Sequence, residues 1–284
     1  MNHRARPYRS VLYVPALNER AMEKAKSLPV DAIIFDLEDA VAAGEKKNAR
    51  KLLGETLAAG GFGSRMKIVR INELSTRWGG EDAKAVSKMN CDAMLLPKVE
   101  SAGQLDLLRQ ISGNTPIWAM METPRGMMNA YEIARAPLIS GMVMGTNDLA
   151  KDLQTRHRAD RLPLLTSLGL CLLAAKTQGL VILDGVYNAF TDDEGLRAEC
   201  EQGRDMGFDG KTLIHPSQVP VANDVFAPSI EEVKLARRQI EAFDQAERDG
   251  SGVAVVDGKI VENLHVITAR EIIAKADAIA EFSS

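Results

Sequence analysis

A chain of 284 residues, 45% hydrophobic and 26% charged, has enough apolar material for one large α/β domain or two modest ones, and its composition excludes a fibre or a disordered polymer. A formal net charge of -4, with acids and bases interspersed, supplies no global field for nucleic acid or anionic lipid, so neither is expected as a partner. No apolar run reaches bilayer-spanning length, no signal-type apolar segment follows the basic residues 1–9, and Cys91, Cys171 and Cys200 are odd in number and far apart, so a reducing cytoplasm is the expected location.

In chain order, short β-branched or apolar runs alternate with polar turns and helix-compatible segments, the β/α pattern. Strands are predicted over 10–14, 32–36, 67–71, 93–96, 117–121, 141–144, 180–183 and 210–214, enough to close a TIM (β/α)8 barrel. Helices are predicted over 18–27, 46–59, 80–88, 102–110, 166–178 and 192–206, and in the fifth of these Leu168, Leu172, Leu173 and Ala175 form the expected barrel-facing stripe. Gly60-Gly61-Phe62-Gly63 and Gly179 read as helix exits, because each precedes a strand and does not open a helix.

Past His215-Pro216 the pattern changes to a long charged helix over 229–248, a hairpin over 253–260 turning at Asp257-Gly258, and a final helix over 266–280. The expected organisation is a catalytic barrel over 1–225 and a helix-hairpin-helix lid or oligomerisation segment over 226–284. Such a tail packs on the barrel, covers its rim or reaches a neighbouring subunit.

Catalytic groups of a barrel stand where its strands end. Here strand two ends in Asp36-Leu37-Glu38-Asp39, three in Arg70-Ile71-Asn72, four in Pro97-Lys98-Val99-Glu100, five in Glu122, six in Asn147-Asp148, seven in Asp184, and eight leads to His215. Glu122 and Asp148, each just past an apolar run, suit a divalent cation bound through hard oxygen ligands that leaves waters for a substrate to displace. The alternative is that each acid caps the helix that follows it.

Six segments in order, Arg9-Ser10-Val11-Leu12-Tyr13-Val14-Pro15, Phe35-Asp36-Leu37-Glu38-Asp39-Ala40-Val41, Val69-Arg70-Ile71-Asn72, Leu96-Pro97-Lys98-Val99-Glu100-Ser101, Glu122-Thr123-Pro124-Arg125-Gly126 and Gly145-Thr146-Asn147-Asp148-Leu149, resemble the citrate lyase beta-subunit-like family of the HpcH/HpaI aldolase superfamily. The family includes malyl-CoA and citramalyl-CoA lyases. The resemblance implies a Mg2+-dependent barrel, with Mn2+ a possible substitute, that makes or breaks a carbon-carbon bond between a 2-oxo acid and the acyl carbon of a CoA thioester. It implies Glu122 and Asp148 as metal ligands and Arg70 as the arginine on the oxo-acid carboxylate and thioester oxygen. Asp36 and Asp39 are implied as acids that hold water on the metal or neighbouring basic groups. Such chemistry develops negative charge twice, as alkoxide and as enolate, and a cation beside a forked guanidinium stabilises both. The bland alternative for Arg70 is an ion pair with Asp36 or Glu38 across adjacent strands.

The family's C-terminal hairpin carries an aspartate over a neighbouring subunit's site, and the matching position here is Glu262, one methylene longer and followed by Asn263-Leu264. That change leaves room for a variant chemistry. Arg20, Lys46, Lys47 and Lys98 are the candidate contacts for CoA phosphates, although Lys98 alternatively pairs with Glu100 or Glu122. Ala16 stands where the family commonly has glycine. His215 is expected to order the last rim loop and not to act as a base. The main expectation is a malyl-, citramalyl- or citryl-CoA lyase working as a homotrimer or hexamer. The alternatives are a malyl-CoA-type thioesterase on the same metal site and a non-catalytic, acyl-carrier-dependent subunit.

Overall fold

The computed structural model describes residues 6–283. The chain divides into two compact units, Tyr8–Phe226 and a smaller one from Ala227 onward.

In the first unit, eight parallel strands close into a barrel in sequence order: β1 (Ser10–Pro15), β2 (Ala32–Asp36), β3 (Met66–Arg70), β4 (Ala93–Leu96), β5 (Ile117–Met121), β6 (Ile139–Met144), β7 (Val181–Asp184) and β8 (Gly210–Leu213), with β8 pairing back onto β1. The connecting helices are α1 (Glu19–Ala25), α2 (Lys46–Ala59), α3 (Gly79–Val86), α4 (Ala102–Ser112), α5 (Pro124–Met128), α6 (Ala130–Ala134), α7 (Thr146–Asp152), α8 (Leu165–Thr177), α9 (Asp193–Met206) and α10 (Val219–Phe226). The chain is therefore the expected TIM barrel. Short helices α5, α6, α7 and α10 were not predicted, because five to eight residues span too few turns to show a helical period.

Alternation along each strand sorts the core into two layers. One set, including Val11, Ala32, Ile34, Met66, Ile68, Leu95, Trp118, Met120, Val143 and Leu183, packs together as the barrel interior. The other, including Leu12, Ile33, Phe35, Val69, Met94, Ala119, Met142 and Ile182, meets the helices. Continuing the inner series two residues at a time leads from Ile34 to Asp36, from Ile68 to Arg70 and from Met120 to Glu122. Strand periodicity thus delivers three polar side chains to one mouth of the barrel.

On α8 the stripe differs from expectation. Leu168, Cys171, Ala174 and Ala175 are buried, whereas Leu173 is 67% exposed. Leucines occur on nearly every side of this helix, so the pattern alone did not select a face. The exits at Gly60 and Gly179 are as expected, both in the left-handed region.

The second unit contains α11 (Ile230–Arg248), a two-stranded hairpin of β9 (Ala254–Val256) and β10 (Lys259–Val261), and α12 (Asn263–Ser283). Its own core joins Phe243, Ala254, Val261 and Val266. Asp257 and Gly258 both take positive φ at the hairpin turn, and Arg238 clamps the Asp257 carboxylate at 2.7 and 2.8 Å. No described helix is long and apolar enough to cross a membrane.

Candidate active site at the barrel mouth

A cavity of about 390 Å3 opens at the strand C-termini, with Tyr13, Asp36, Asp39, Arg70, Glu122 and Asp148 among its walls. Five of the residues singled out from sequence therefore share one cavity.

Arg70, at the end of β3, is 6% exposed. Its Nε and Nη2 donate to the two oxygens of Asp36 at 2.7 and 2.6 Å. Nη1 lies 2.9 Å from Glu38 Oε2 and 3.2 Å from Asp39 Oδ2, and the guanidinium carbon stands 5.1 Å from the Tyr13 ring centre. Both pairings offered as the bland alternative exist, and they coexist with a place in the cavity wall. Burial alone disfavours the charge on Arg70, but the Asp36 hydrogen bonds and charge reverse the balance and hold it charged. Asp36 is saturated as well, since Oδ1 and Oδ2 also accept from the Glu38 and Ala40 amides at 2.8 and 3.0 Å. Its geometry is that of a group that fixes Arg70. Asp39, with a side chain 63% exposed, is the partner most easily exchanged for a ligand oxygen.

Glu122 is 1% exposed. It does not cap α5, because Thr123 does, accepting from the Gly126 amide at 3.1 Å. Oε1 accepts from the Lys98 amide at 2.8 Å, while Oε2 is buried without a hydrogen-bond partner among the described residues. Burial first, and then the Glu38 charge, push the carboxyl up to about 8. Gly145 packs directly on this side chain, and a Cβ there would collide with it. The glycine thus allows the Glu122 carboxylate and the first turn of α7, which carries Asp148, to meet across the cavity. Asp148 is partly exposed and pairs at 4.0 Å with Lys151. Among the described residues no group of three or more His, Cys, Asp or Glu side chains gathers as a metal nest. Two carboxylates suffice for Mg2+, which keeps most of its shell as water or substrate oxygen. The unpartnered Glu122 oxygen fits that role.

Other expected residues fall elsewhere. Lys46 is a correction: its ammonium donates to the Leu37 and Glu38 carbonyls at 2.8 and 2.6 Å, so it is spent holding the β2 rim loop and is not free for CoA. Lys98 is likewise engaged, its Nζ donating to Glu38 Oε1 at 2.9 Å. Arg20 and Lys47 are exposed on the first turns of α1 and α2. Asp184 is not a mouth residue. It lies one step out of phase with Leu183, on the outer face of β7, where Arg161 and Lys211 bind it at 2.7 to 3.0 Å. His215 accepts from the Ser217 amide and caps the last rim turn. Glu262 is exposed in the second unit, directly before α12, and its amide donates to His265 Nδ1 at 3.0 Å.

Sequence reasoning did not single out Tyr13. The available signal was its place in the inward series Val11, Tyr13 on β1. Its hydroxyl donates to the Met120 sulfur at 3.8 Å, and burial raises its titration far above neutrality, so it remains a proton donor.

The model of the HpcH/HpaI aldolase/citrate lyase family matches residues 9–216. The chain belongs to this family. A (3S)-malyl-CoA thioesterase of Cereibacter sphaeroides is 62% identical over 282 residues, 99% of each chain. The citrate lyase subunit beta of Escherichia coli is 34% identical, covering 96% of this chain and 95% of the relative. Among solved structures, CitE of Mycobacterium tuberculosis in complex with magnesium, acetoacetate and coenzyme A superposes with a TM-score of 0.80 at 32% identity, covering 96% of this chain and 99% of that one.

Proposed function

We propose that the protein is a Mg2+-dependent hydrolase of a (3S)-malyl-CoA-type thioester, releasing the hydroxy diacid and free CoA. The observation that carries this reading is the 62% identity to a (3S)-malyl-CoA thioesterase over nearly the whole of both chains, well above the 34% shared with a citrate lyase subunit. It replaces the lyase as the favoured reading. The mouth of the barrel supports it with two carboxylates and a fixed guanidinium in one cavity.

In this reading Glu122 and Asp148 hold Mg2+, as the magnesium-bound relative at 32% identity makes reasonable. When bound, the ion supplies positive charge for the oxygens of the acid moiety and of the addition step. Arg70 donates to the thioester carbonyl oxygen, which gains negative charge as water adds to the carbon, and the carbon-sulfur bond then breaks with the electron pair leaving on CoA sulfur. Asp36 keeps the guanidinium plane in place, so none of the transition-state gain is lost to reorienting it. Tyr13 offers a neutral donor beside it. Glu262 serves as the proton acceptor for the attacking water, presented by a neighbouring copy in a homotrimer or hexamer. Arg20 and Lys47 lie on the CoA path.

Incubating pure protein with (3S)-malyl-CoA and Mg2+, and following free thiol, malate and glyoxylate, tests the proposal. Thiol and malate in equal amounts without glyoxylate are expected. Glyoxylate matched by acetyl-CoA would return the protein to the lyases.

The second reading, a carbon-carbon lyase, is favoured by the citrate lyase relatives and by the same metal and arginine arrangement. Cleavage needs a proton acceptor on the hydroxyl, and the longer Glu262 shifts that carboxylate by about an ångström, enough to affect proton transfer.

A further inference from the structure

Lys98 stands where β4 ends, and its backbone is unusual. After Leu96, which pairs with Ala119 of β5, Pro97 has no N–H to offer, and the ladder resumes only at Val99, whose amide donates to the Met120 carbonyl at 3.3 Å. Between them Lys98 takes φ +49°, the left-handed region that a non-glycine residue seldom adopts. This turn points the Lys98 amide away from the ladder and onto Glu122 Oε1 at 2.8 Å. It also sends the side chain to Glu38 Oε1 at 2.9 Å, while the other Glu38 oxygen lies 2.9 Å from Arg70 Nη1.

The geometry points to Lys98 as a positioning residue that sets the Glu122 carboxylate and the Arg70 guanidinium relative to each other, the first through its amide and the second through its ammonium and Glu38. The inference rests on the mouth site proposed above but not on which product leaves it. Electrostatics explain why an ammonium is needed there. Asp36, Glu38, Asp39 and Glu122 crowd one mouth; Arg70 and Lys98 form direct ion pairs with the first three, while Lys46 acts on them from behind, through the loop carbonyls it holds. Without the ammonium, Arg70 is the remaining direct ion-pair partner of Glu38 among the described residues, and Glu38 competes with Asp36 for the guanidinium. The Lys98 side chain, 35% exposed and already bonded to a carboxylate, is committed to this wall and not to a CoA phosphate.

Two separable experiments decide it. Lys98→Met keeps the stem and the amide and removes the charge. Turnover is expected to fall about tenfold or more, with KM for the thioester within about threefold and Mg2+ affinity by calorimetry nearly unchanged. In Lys98→Met/Glu38→Gln the uncompensated acid is gone, so the combined loss should be smaller than the product of the single losses. A large rise in KM at constant kcat would make Lys98 a phosphate contact and overturn the inference, as would independent effects in the double variant. For the amide, Lys98→Gly adopts the left-handed turn freely and should keep wild-type Mg2+ affinity, whereas the β-branched Lys98→Val should weaken it about tenfold. Equal affinities would overturn that half and the proposal with it. If Lys98→Val fails to fold, the Met variant's split of kcat and KM still decides. Calorimetry needs no substrate, so inactivity toward (3S)-malyl-CoA would refute the reading of the reaction and leave Lys98 to be judged on metal affinity.

Discussion

The Asp36 carboxylate meets the Arg70 guanidinium edge to edge, taking Nε on one oxygen and Nη2 on the other at 2.7 and 2.6 Å. Adjacent parallel strands in direct register, Asp36 opposite Arg70, make this fork a product of the barrel itself. A forked, buried pair fixes the plane of the cation and leaves its Nη1 edge, shared with Glu38 and the exposed Asp39, for a ligand.

Arg70→Lys keeps the charge and loses the fork. An ammonium cannot hold both Asp36 oxygens and also address a developing oxyanion, so kcat should fall by on the order of a hundredfold, about 3 kcal/mol of transition-state stabilisation. Steady-state kinetics on protein of unchanged circular dichroism measures this. Near-normal turnover would remove Arg70 from the chemistry.

On the proposed role of Glu122 as a metal ligand, metal binding should be pH-dependent. In metal-free protein its carboxyl is raised from an ordinary value near 4.5 to about 8, so at neutral pH the folded state holds a proton that Mg2+ must displace. Affinity for Mg2+ should therefore rise with pH up to about 8 and then level off. Calorimetry in buffers of different ionisation heat should detect proton release at pH 7. The same shift gives the metal-free fold a contribution that is complete below the unfolded value and is lost as pH rises through about 8. Added Mg2+ should therefore raise the melting temperature most at the alkaline end, and a uniform increase across pH would contradict this.

If the second unit serves a neighbouring copy, Glu122→Gln and Glu262→Gln, each inactive alone, should regain part of the wild-type rate after mixing and subunit exchange. Mass spectrometry of mixed labelled subunits verifies the exchange. No recovery after verified exchange would place Glu262 at its own chain's site or at none.

Among the basic residues, Arg20→Ala and Lys47→Ala should raise KM for the CoA thioester several-fold with kcat unchanged, and the effect should shrink at high salt, because both side chains are exposed. Lys46→Met should behave differently. It removes one of two donors from each of the Leu37 and Glu38 carbonyls, which keep the Asn72 side-chain amide and the Val41 backbone amide, so a lower melting temperature is expected, on the order of 1 kcal/mol of stability. A pure KM effect from Lys46→Met would show that this lysine is available to ligand after all.

Much of the barrel was legible along the chain. β2, β4, β5 and α2 begin and end where periodicity put them, because each strand is a short β-branched or apolar run between turns and α2 ends at a glycine in the left-handed region. That Arg70, Glu122 and Asp148 share one cavity was legible because barrel strands end in polar groups at one mouth, and ordered segments tied these positions to a family. Less legible were contacts that depend on which neighbour a side chain meets. Lys46 and Lys98 look alike in sequence to Lys47, yet burial and a left-handed turn commit them to carbonyls and to Glu38, while Lys47 faces solvent. Asp184 read as one more acid at a strand end, but a shift of one residue in a period of two turns it outward, into the pair with Lys211.

The sequence by itself determined the alternation that builds a parallel barrel and the strand ends where its polar groups emerge, since both follow from local periodicity and turn chemistry. Only the tertiary structure decided that Asp36 is saturated by Arg70, that one oxygen of Glu122 is left open, and that Lys98 faces inward. Those outcomes depend on register, burial and the local field of four crowded acids, and each is a property of residues far apart in the chain brought within hydrogen-bond range.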